Sequence, residues 1–258
     1  MKILLTGATG FIGSHIATAL RQKGHTVVSV SRRQGVDFSR MTTAAHWFPY
    51  LHDTDAVINC VGIIGETSSQ RFATLHTQAP IALFQASVTS GVRRVIQISA
   101  LGADESAFSA YHRSKRAADD YLRSLDVDWF VLRPSLVYGE GGASTALFNR
   151  LSQFPVIAVP GKGDQKLQPI AVEGVVAKVL ECLETPHTRR TLDVAGAEIV
   201  TLTEWLQTLR RQNGRPPARI IPIPWSLVMA AAHIFHPLHP MLHPDNLRML
   251  QAGSYIKS

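Results

Sequence analysis

The sequence predicts an α/β fold: a doubly wound parallel sheet covered by helices on both faces, followed by a small C-terminal cap. Three observations predict it. Short apolar runs alternate with helical stretches through the first 135 residues, a glycine-rich turn joins the first run to the first helical stretch, and the texture changes after Pro134. Strand, helix, strand in repetition is the pattern of parallel strands joined by crossover helices, which bury both sheet faces. A chain of 258 residues has room for one large or two small domains, and 45% hydrophobic residues suits a globular protein with a substantial core.

In order, residues 3–6, 26–31, 56–61, 92–99 and 129–133 read as strands, being short apolar runs bounded by turn residues. Residues 11–23, 69–90 and 109–124 read as helices. The stretch 34–50 is compressed, with a vestigial strand around Val36-Asp37-Phe38 and a short helix. Beyond Pro134, residues 139–142 form a loop and 143–153 a helix, while 154–168, with two prolines and Gly161-Lys162-Gly163, is loop with a short strand. Residues 172–184 are helical, 191–195 a strand, and 203–212 a helix capped by Thr201 or Thr203. No internal repeat or low-complexity segment occurs. The organisation expected is a ligand-binding core over 1–135 and a mixed region, 136–258, that completes the core and forms the cap.

The first strand runs into Thr6-Gly7-Ala8-Thr9-Gly10-Phe11-Ile12-Gly13, and a helix follows. In Gly-x-x-Gly-x-x-Gly the first glycine permits the tight turn, the second lets the backbone approach a pyrophosphate, and the third allows close helix–strand packing. Phosphates placed there face the helix N-terminus, where free N–H groups and the dipole favour anions. The strand–turn–helix setting is what gives an otherwise weak glycine triplet its meaning. Nicotinamide dinucleotides divide at the end of the second strand, where an acid holds the ribose 2′-hydroxyl of NAD and arginine accommodates the 2′-phosphate of NADP. Here the strand ends Val30-Ser31-Arg32-Arg33. No acid is present, and both arginines can make charge-assisted bonds to a phosphate. NADP is the expected cofactor, with NAD the alternative.

Tyr111 and Lys115 open the predicted helix 109–124 four residues apart, on one face. A free tyrosine, with a pKa of about 10, is a poor acid or base at neutral pH; a nearby ammonium favours the phenolate. The pair is suited to general acid/base work beside a hydride carrier. A lone Tyr-x-x-x-Lys is also frequent on ordinary helix surfaces.

In their order and spacing, the glycine turn, Tyr111-x-x-x-Lys115 and Leu132-Arg133-Pro134 resemble the short-chain dehydrogenase/reductase superfamily. The glycine pattern is that of its extended and atypical branches, which include nucleotide-sugar epimerases and the NAD(P)H-binding accessory subunit of respiratory complex I. Ile98-Ser99-Ala100-Leu101-Gly102-Ala103 and the stretch 111–121 look closest to the complex-I-subunit group. The resemblance covers about residues 1–200. It implies a Rossmann core with a C-terminal substrate cap, Tyr111 as acid/base, Lys115 holding the nicotinamide ribose, Asp37-Phe38 near the adenine and Val61-Gly62 beneath the cofactor. The implied cofactor set is Gly7, Thr9, Gly10, Phe11, Ile12, Gly13, Ser31, Arg32, Arg33, Asp37, Phe38, Val61, Gly62, Lys115 and Pro134, and the implied catalytic set Tyr111, Lys115 and Ser99. Two departures stand out. The family's catalytic hydroxyl lies just past a strand end, and Ser99 is followed by Ala100 and Leu101, which puts it one or two places early. Sugar-nucleotide enzymes carry a substrate-binding arginine in a loop like 161–168, where this chain has Leu167 at the matching position and Lys166 beside it. A nucleotide-sugar substrate is therefore disfavoured.

The remaining composition excludes more than it assigns. A formal charge of +7, from 26 basic and 19 acidic residues, favours anionic partners, but the charges are scattered and form no run. With no aromatic-basic reading surface, no nucleic-acid partner is expected. Cys60 and Cys182 are too few for a disulfide framework and read as small core residues. An N-terminal apolar run too short for a signal peptide, and no apolar window of roughly 20 residues, lead to the expectation of a cytoplasmic location. His233, His236, His239 and His243 cluster, but Pro237, Pro240 and Pro244 interrupt any helix that would align them, so no metal is expected. The apolar helix 224–235 either packs over a substrate cleft or meets a membrane or protein partner. The function expected is an NAD(P)-dependent oxidoreductase or epimerase-like enzyme acting on a small-molecule carbonyl or carbinol. The alternative is an NAD(P)H-binding accessory or redox-sensing protein with little turnover. Substrate identity and oligomeric state are not legible.

Overall fold

A computed structural model of the chain describes residues 1–235 and 243–257. The elements begin with β1 (Lys2–Thr6), α1 (Phe11–Gln22), β2 (Thr26–Val30), α2 (Phe48–Leu51), β3 (Ala56–Asn59), α3 (Ala79–Thr89), β4 (Arg94–Ile98), α4 (Ala110–Arg123) and β5 (Asp128–Pro134). They continue with β6 (Val137–Tyr138), α5 (Ala143–Ser152), β7 (Val156–Pro160), β8 (Lys166–Leu167), β9 (Ile170–Ala171), α6 (Val172–Glu184) and β10 (Arg190–Val194). Last come β11 (Val200–Thr201), α7 (Leu202–Gln212), β12 (Arg219–Ile223), α8 (Trp225–Phe235) and α9 (Pro244–Ala252). The chain divides into two units, Met1–Pro134 with Val172–Val194, and Ser135–Ala171 with Ala195–Ser258.

The first unit is the predicted parallel sheet. Its order is β10-β5-β4-β3-β1-β2, with every pairing parallel. Strands covered on both faces read as unbroken apolar runs, and β3 and β4 are buried at every residue. After β1 the chain places β2 on one side of it and β3 on the other. Such a reversal opens a crevice at the carboxyl ends of the strands.

Two local expectations are corrected. The vestigial strand at Val36-Asp37-Phe38 is absent: a 3-10 turn spans Phe38–Arg40, and the Asp37 carboxylate caps it by accepting from Ser39 N–H at 3.0 Å. Phe38 is buried edge-on against Trp47, so apolar packing rather than strand pairing consumes this segment. The helix expected over 69–90 begins later and is not uniform. Residues Ala73–Gln78 form a π turn, and α3 follows with Pro80 in its first turn. Proline lacks the N–H that the carbonyl four residues back would accept, and its ring crowds that carbonyl, which here belongs to His76.

The second unit holds more strand than the sequence suggested. Its ladders are β11–β8 antiparallel, β12–β7 parallel and β6–β9 parallel. They surround a core of Ile157, Val159, Leu167, Leu202, Trp205, Leu206 and Leu209. Leu167 is buried while Lys166 is exposed, as alternation on a strand requires. Thr201 caps α7 through a capping box with Glu204. On α8, Leu227 and Ile234 are 60% and 68% exposed. His236, His239, Pro237 and Pro240 lie outside the described residues. Of the other two histidines, His233 Nδ1 lies 2.7 Å from Met229 O, and His243 caps α9 by accepting from Asp245 N–H at 3.2 Å. Among the described residues no helix is long and apolar enough to cross a membrane.

Candidate cofactor and active site

The glycine turn is held by backbone geometry that side chains would spoil. Gly7 sits at φ +69°, donates to Val30 O at 3.0 Å, and accepts from Gly10 N–H at 2.9 Å. A Cβ on Gly7 would lie 2.9 Å from the Cys60 carbonyl carbon, and one on Gly13 would run into the Gly7 carbonyl. Gly13 is thus the packing glycine. A Cβ on Gly10 would meet only Gly7 O, at 3.2 Å, so that position is kept clear on its outer side. Helix α1 starts at Phe11 with no side-chain cap, which leaves its first-turn N–H groups open to an anion.

A cavity of about 180 Å³ adjoins this turn, lined in part by Gly7, Thr9, Gly10, Ser31, Arg32 and Asp37. Phe38, Val61 and Gly62 line it too, so ends of β1, β2 and β3 all contribute. Whole-ligand pockets run to about 300–1,000 Å³, so the cavity suits one end of an extended ligand. These features fit a phosphorylated dinucleotide: a Cβ-free cradle, an open helix N-terminus and an arginine at the wall. Asp37 is held below the usual carboxylate range, chiefly by the Ser39 hydroxyl hydrogen bond, and so remains an anion there. Of the two arginines expected to read the ribose phosphate, Arg32 lines the cavity and Arg33 does not. Phe11, Ile12 and Gly13 lie on the first turn of α1 and do not line the cavity, and Pro134 ends β5, accepting from Leu101 N–H at 2.9 Å.

Beneath the loop after β3 runs a buried polar ladder the sequence did not announce. Thr6 Oγ1 donates to Asn59 Oδ1 at 2.5 Å, and Asn59 Nδ2 donates to Gln97 Oε1 at 2.7 Å. The same Asn59 oxygen accepts from Val61 N–H at 3.3 Å, which fixes where the chain leaves the sheet. Lys115 completes the floor. Its ammonium donates to Val61 O at 3.2 Å and Ile98 O at 3.0 Å, and a Cβ on Gly62 would lie 3.0 Å from it. Burial pushes Lys115 down to about 8, opposed by the charge of Asp119.

Tyr111 is half-buried, its ring edge-on to Phe72 at 5.9 Å and His76 at 5.4 Å. The expectation that Lys115 lowers its pKa is corrected. Burial, followed by the charge of Asp119, pushes the phenol up to about 12, while the Lys115 ammonium donates to two carbonyls. Ser99, expected to be a catalytic hydroxyl, is buried and donates to Asp119 Oδ2. Its hydrogen is therefore directed into the protein.

Two groups that the sequence did not single out sit beside this pair. His76, on the π turn, is fully buried and accepts from Ile63 N–H through Nε2 at 3.0 Å. Its Nδ1 lies 3.0 Å from Ser114 Oγ, whose own hydrogen goes to Tyr111 O at 2.7 Å. Nδ1 must then carry the proton, and the ring is neutral; burial, then the Lys115 charge, push its pKa down to about 2. Asp119 is the second group. The signal for it was present, since Tyr111, Lys115 and Asp119 recur every four residues along one face of α4. His76 had no such signal.

A parallel doubly wound sheet with an anion-ready glycine turn at its switch point defines a nucleotide-binding α/β protein. More particularly, the chain matches the NAD dependent epimerase/dehydratase family over residues 3–195 and belongs to it. The motif resemblance is thereby borne out. Ceramide reductase of Caulobacter vibrioides is 30% identical over 196 residues, covering 71% of this chain and 61% of that protein. The mitochondrial NADH dehydrogenase (ubiquinone) 1 alpha subcomplex subunit 9 of Dictyostelium discoideum is 27% identical over 222 residues, covering 79% and 61%. The chain thus spans about six-tenths of the length of these relatives. In fold it is similar to a dTDP-4-dehydrorhamnose reductase from Clostridium acetobutylicum, with TM-score 0.72, 20% identity, and 87% and 84% of the two chains covered.

Proposed function

We propose that the protein is an NADP-dependent oxidoreductase acting on a small-molecule carbonyl or carbinol. The observation that carries this reading is Lys115: a buried ammonium held under the Val61-Gly62 loop, one helical turn from Tyr111. In this reading Gly7, Gly10 and the first turn of α1 hold the pyrophosphate, and Arg32 meets the 2′-phosphate. The dinucleotide, when bound, supplies or accepts hydride. Tyr111 moves the proton at the substrate oxygen, and Lys115 offers its remaining N–H donor upward, toward the ribose. With its pKa pushed up, the phenol stays protonated at neutral pH, so it has a proton to give in the reduction of a carbonyl and cannot take one in the reverse direction.

A second reading is favoured by one observation. The Ser99 hydroxyl is committed to Asp119, so the third hydrogen bond expected at a reacting oxygen is missing. A cofactor-holding accessory or redox-sensing protein needs no such bond, and one relative is by name a subunit of an NADH dehydrogenase. The Tyr111→Phe variant separates the two. It is assayed with NADPH on a panel of ketones and aldehydes that includes ceramide-type lipids. The enzyme reading expects turnover by the wild type, a loss of about 10²–10⁴-fold in the variant and little change in cofactor affinity. Tight NADPH binding with no turnover on any member supports the accessory reading. Turnover that survives Tyr111→Phe rejects the mechanism.

A further inference from the structure

Resting on that reading, we infer that Asp119 is a positioning residue for the active site: its buried carboxylate, one turn beyond Lys115, keeps the ammonium charged beneath the cofactor loop and turns Ser99 away from Tyr111.

The geometry carries the inference. Asp119 is fully buried; one carboxylate oxygen accepts the Ser99 hydroxyl, and the other has no hydrogen-bond partner among the described residues. A carboxylate sealed away with half its acceptor capacity unmet is costly unless an opposite charge compensates it. Lys115, equally sealed, lies on the same helix face four residues earlier. Its own hydrogen bonds go to two neutral carbonyls, Val61 O and Ile98 O. Asp119 is thus the main charge that compensates Lys115, while Asp119 is stabilised first by the Ser99 hydroxyl and then by the Lys115 charge.

The surroundings of both groups leave few rivals for this role. Facing Lys115 are the Cys60 thiol beyond β3, His76 on the π turn and Asp119 on α4. Cys60 is pushed up to about 12 by burial and stays a neutral thiol, and His76 is neutral as derived above. Facing Asp119 are Ser99 beyond β4, and Tyr111, Lys115, Asp120 and Arg123 on its own helix, Tyr111 staying a neutral phenol. Arg123 is already paired with Asp120 at 2.5 Å and hydrogen-bonded to Thr191. Burial pushes Asp119 up to about 7, so above that pH it is the one anion that acts on Lys115. Ser99 serves it in turn: the hydroxyl stabilises the ionised carboxylate and is spoken for by it.

The test reads Lys115 itself. The Lys115 ammonium is followed by its side-chain nitrogen resonance against pH in the protein without cofactor, and assigned by its disappearance in Lys115→Arg. The wild-type midpoint is expected near 8. Asp119→Asn keeps an acceptor for Ser99 and removes only the charge, so the midpoint should fall by about one unit or more. At pH 8 the charged fraction then falls from about a half to about a tenth, and NADPH affinity weakens about fivefold. If Asp119→Asn does not fold, Ser99→Ala takes its place: loss of the hydroxyl favours the protonated carboxyl, and the Lys115 midpoint should move the same way. A midpoint unmoved in the variants that fold overturns the inference. Failure of the functional reading looks different: the wild type takes up no NADPH, whatever the Lys115 titration shows.

Discussion

Replacing Gly7 by alanine tests how the cradle is built. At φ +69° an alanine is in the left-handed region, which costs about 1–2 kcal/mol. The new Cβ would also lie 2.9 Å from the Cys60 carbonyl carbon, 3.0 Å from its oxygen and 3.1 Å from Val61 N. Carbon contacts are comfortable at about 3.5–4.0 Å, and overpacking against groups that cannot yield costs about 1–3 kcal/mol. These neighbours are backbone, tied to the sheet by Cys60 N–H to Thr6 O at 3.2 Å and by the Asn59 bond to Val61 N–H. The sum is about 2–5 kcal/mol, a large share of a domain's usual 5–15 kcal/mol. Gly24 provides the control: at φ +78° with no atom within 4 Å of a built Cβ, Gly24→Ala should lose only the conformational part, about 1–2 kcal/mol. Urea unfolding of both variants, read at unchanged slope, gives the difference. Equal losses for the two would refute the close approach of the β1 and β3 loops, and with it the account of why glycine stands at residue 7.

Three further outcomes are expected. NADPH should bind more tightly than NADH, and Arg32→Ala should erase most of the preference, at about 1.5–3 kcal/mol for a well-ordered charge-assisted contact; Arg33→Ala, off the cavity wall, should do little, and calorimetric titration with both cofactors decides. His76 stays neutral in the fold but protonates near 6.5 when unfolded, so below that pH the unfolded state binds more protons and the fold loses stability relative to His76→Gln. The difference should grow by about 1.4 kcal/mol per pH unit as pH falls from 6 to 4, and parallel stability profiles would contradict the buried neutral ring. Glu204→Ala should destabilise α7 by about 1 kcal/mol, since it removes one half of the capping box with Thr201, and thermal unfolding measures it.

Much of the first unit was legible because both its faces are buried. Strands β1, β3, β4 and β5 are short, mostly apolar and largely buried segments, and the glycine triplet follows from backbone chemistry that has few solutions. The segment around Phe38 misled because apolar alternation is the same whether a residue pairs in a sheet or packs on Trp47. The second unit was read thinly: β6, β8, β9 and β11 are two residues long and paired to distant partners, below the length at which periodicity speaks. In the site, Tyr111 and Lys115 could be named from spacing, but the direction of Ser99 could not. It depends on a hydrogen bond to Asp119, a tertiary contact between residues twenty positions apart in the chain.

The central claim is that a nicotinamide dinucleotide is held at the glycine turn, and Gly10→Val tests it most directly. Gly10 has φ −79°, open to any residue, and a built Cβ would touch only Gly7 O, at 3.2 Å, so the variant should still fold. Its side chain would occupy the place where the pyrophosphate must approach. The measurement is calorimetric titration of NADPH into the wild type and Gly10→Val, with circular dichroism to show that both are folded. The account predicts saturable binding, one per chain, in the wild type and none in the variant. Wild-type affinity in a folded Gly10→Val would contradict it.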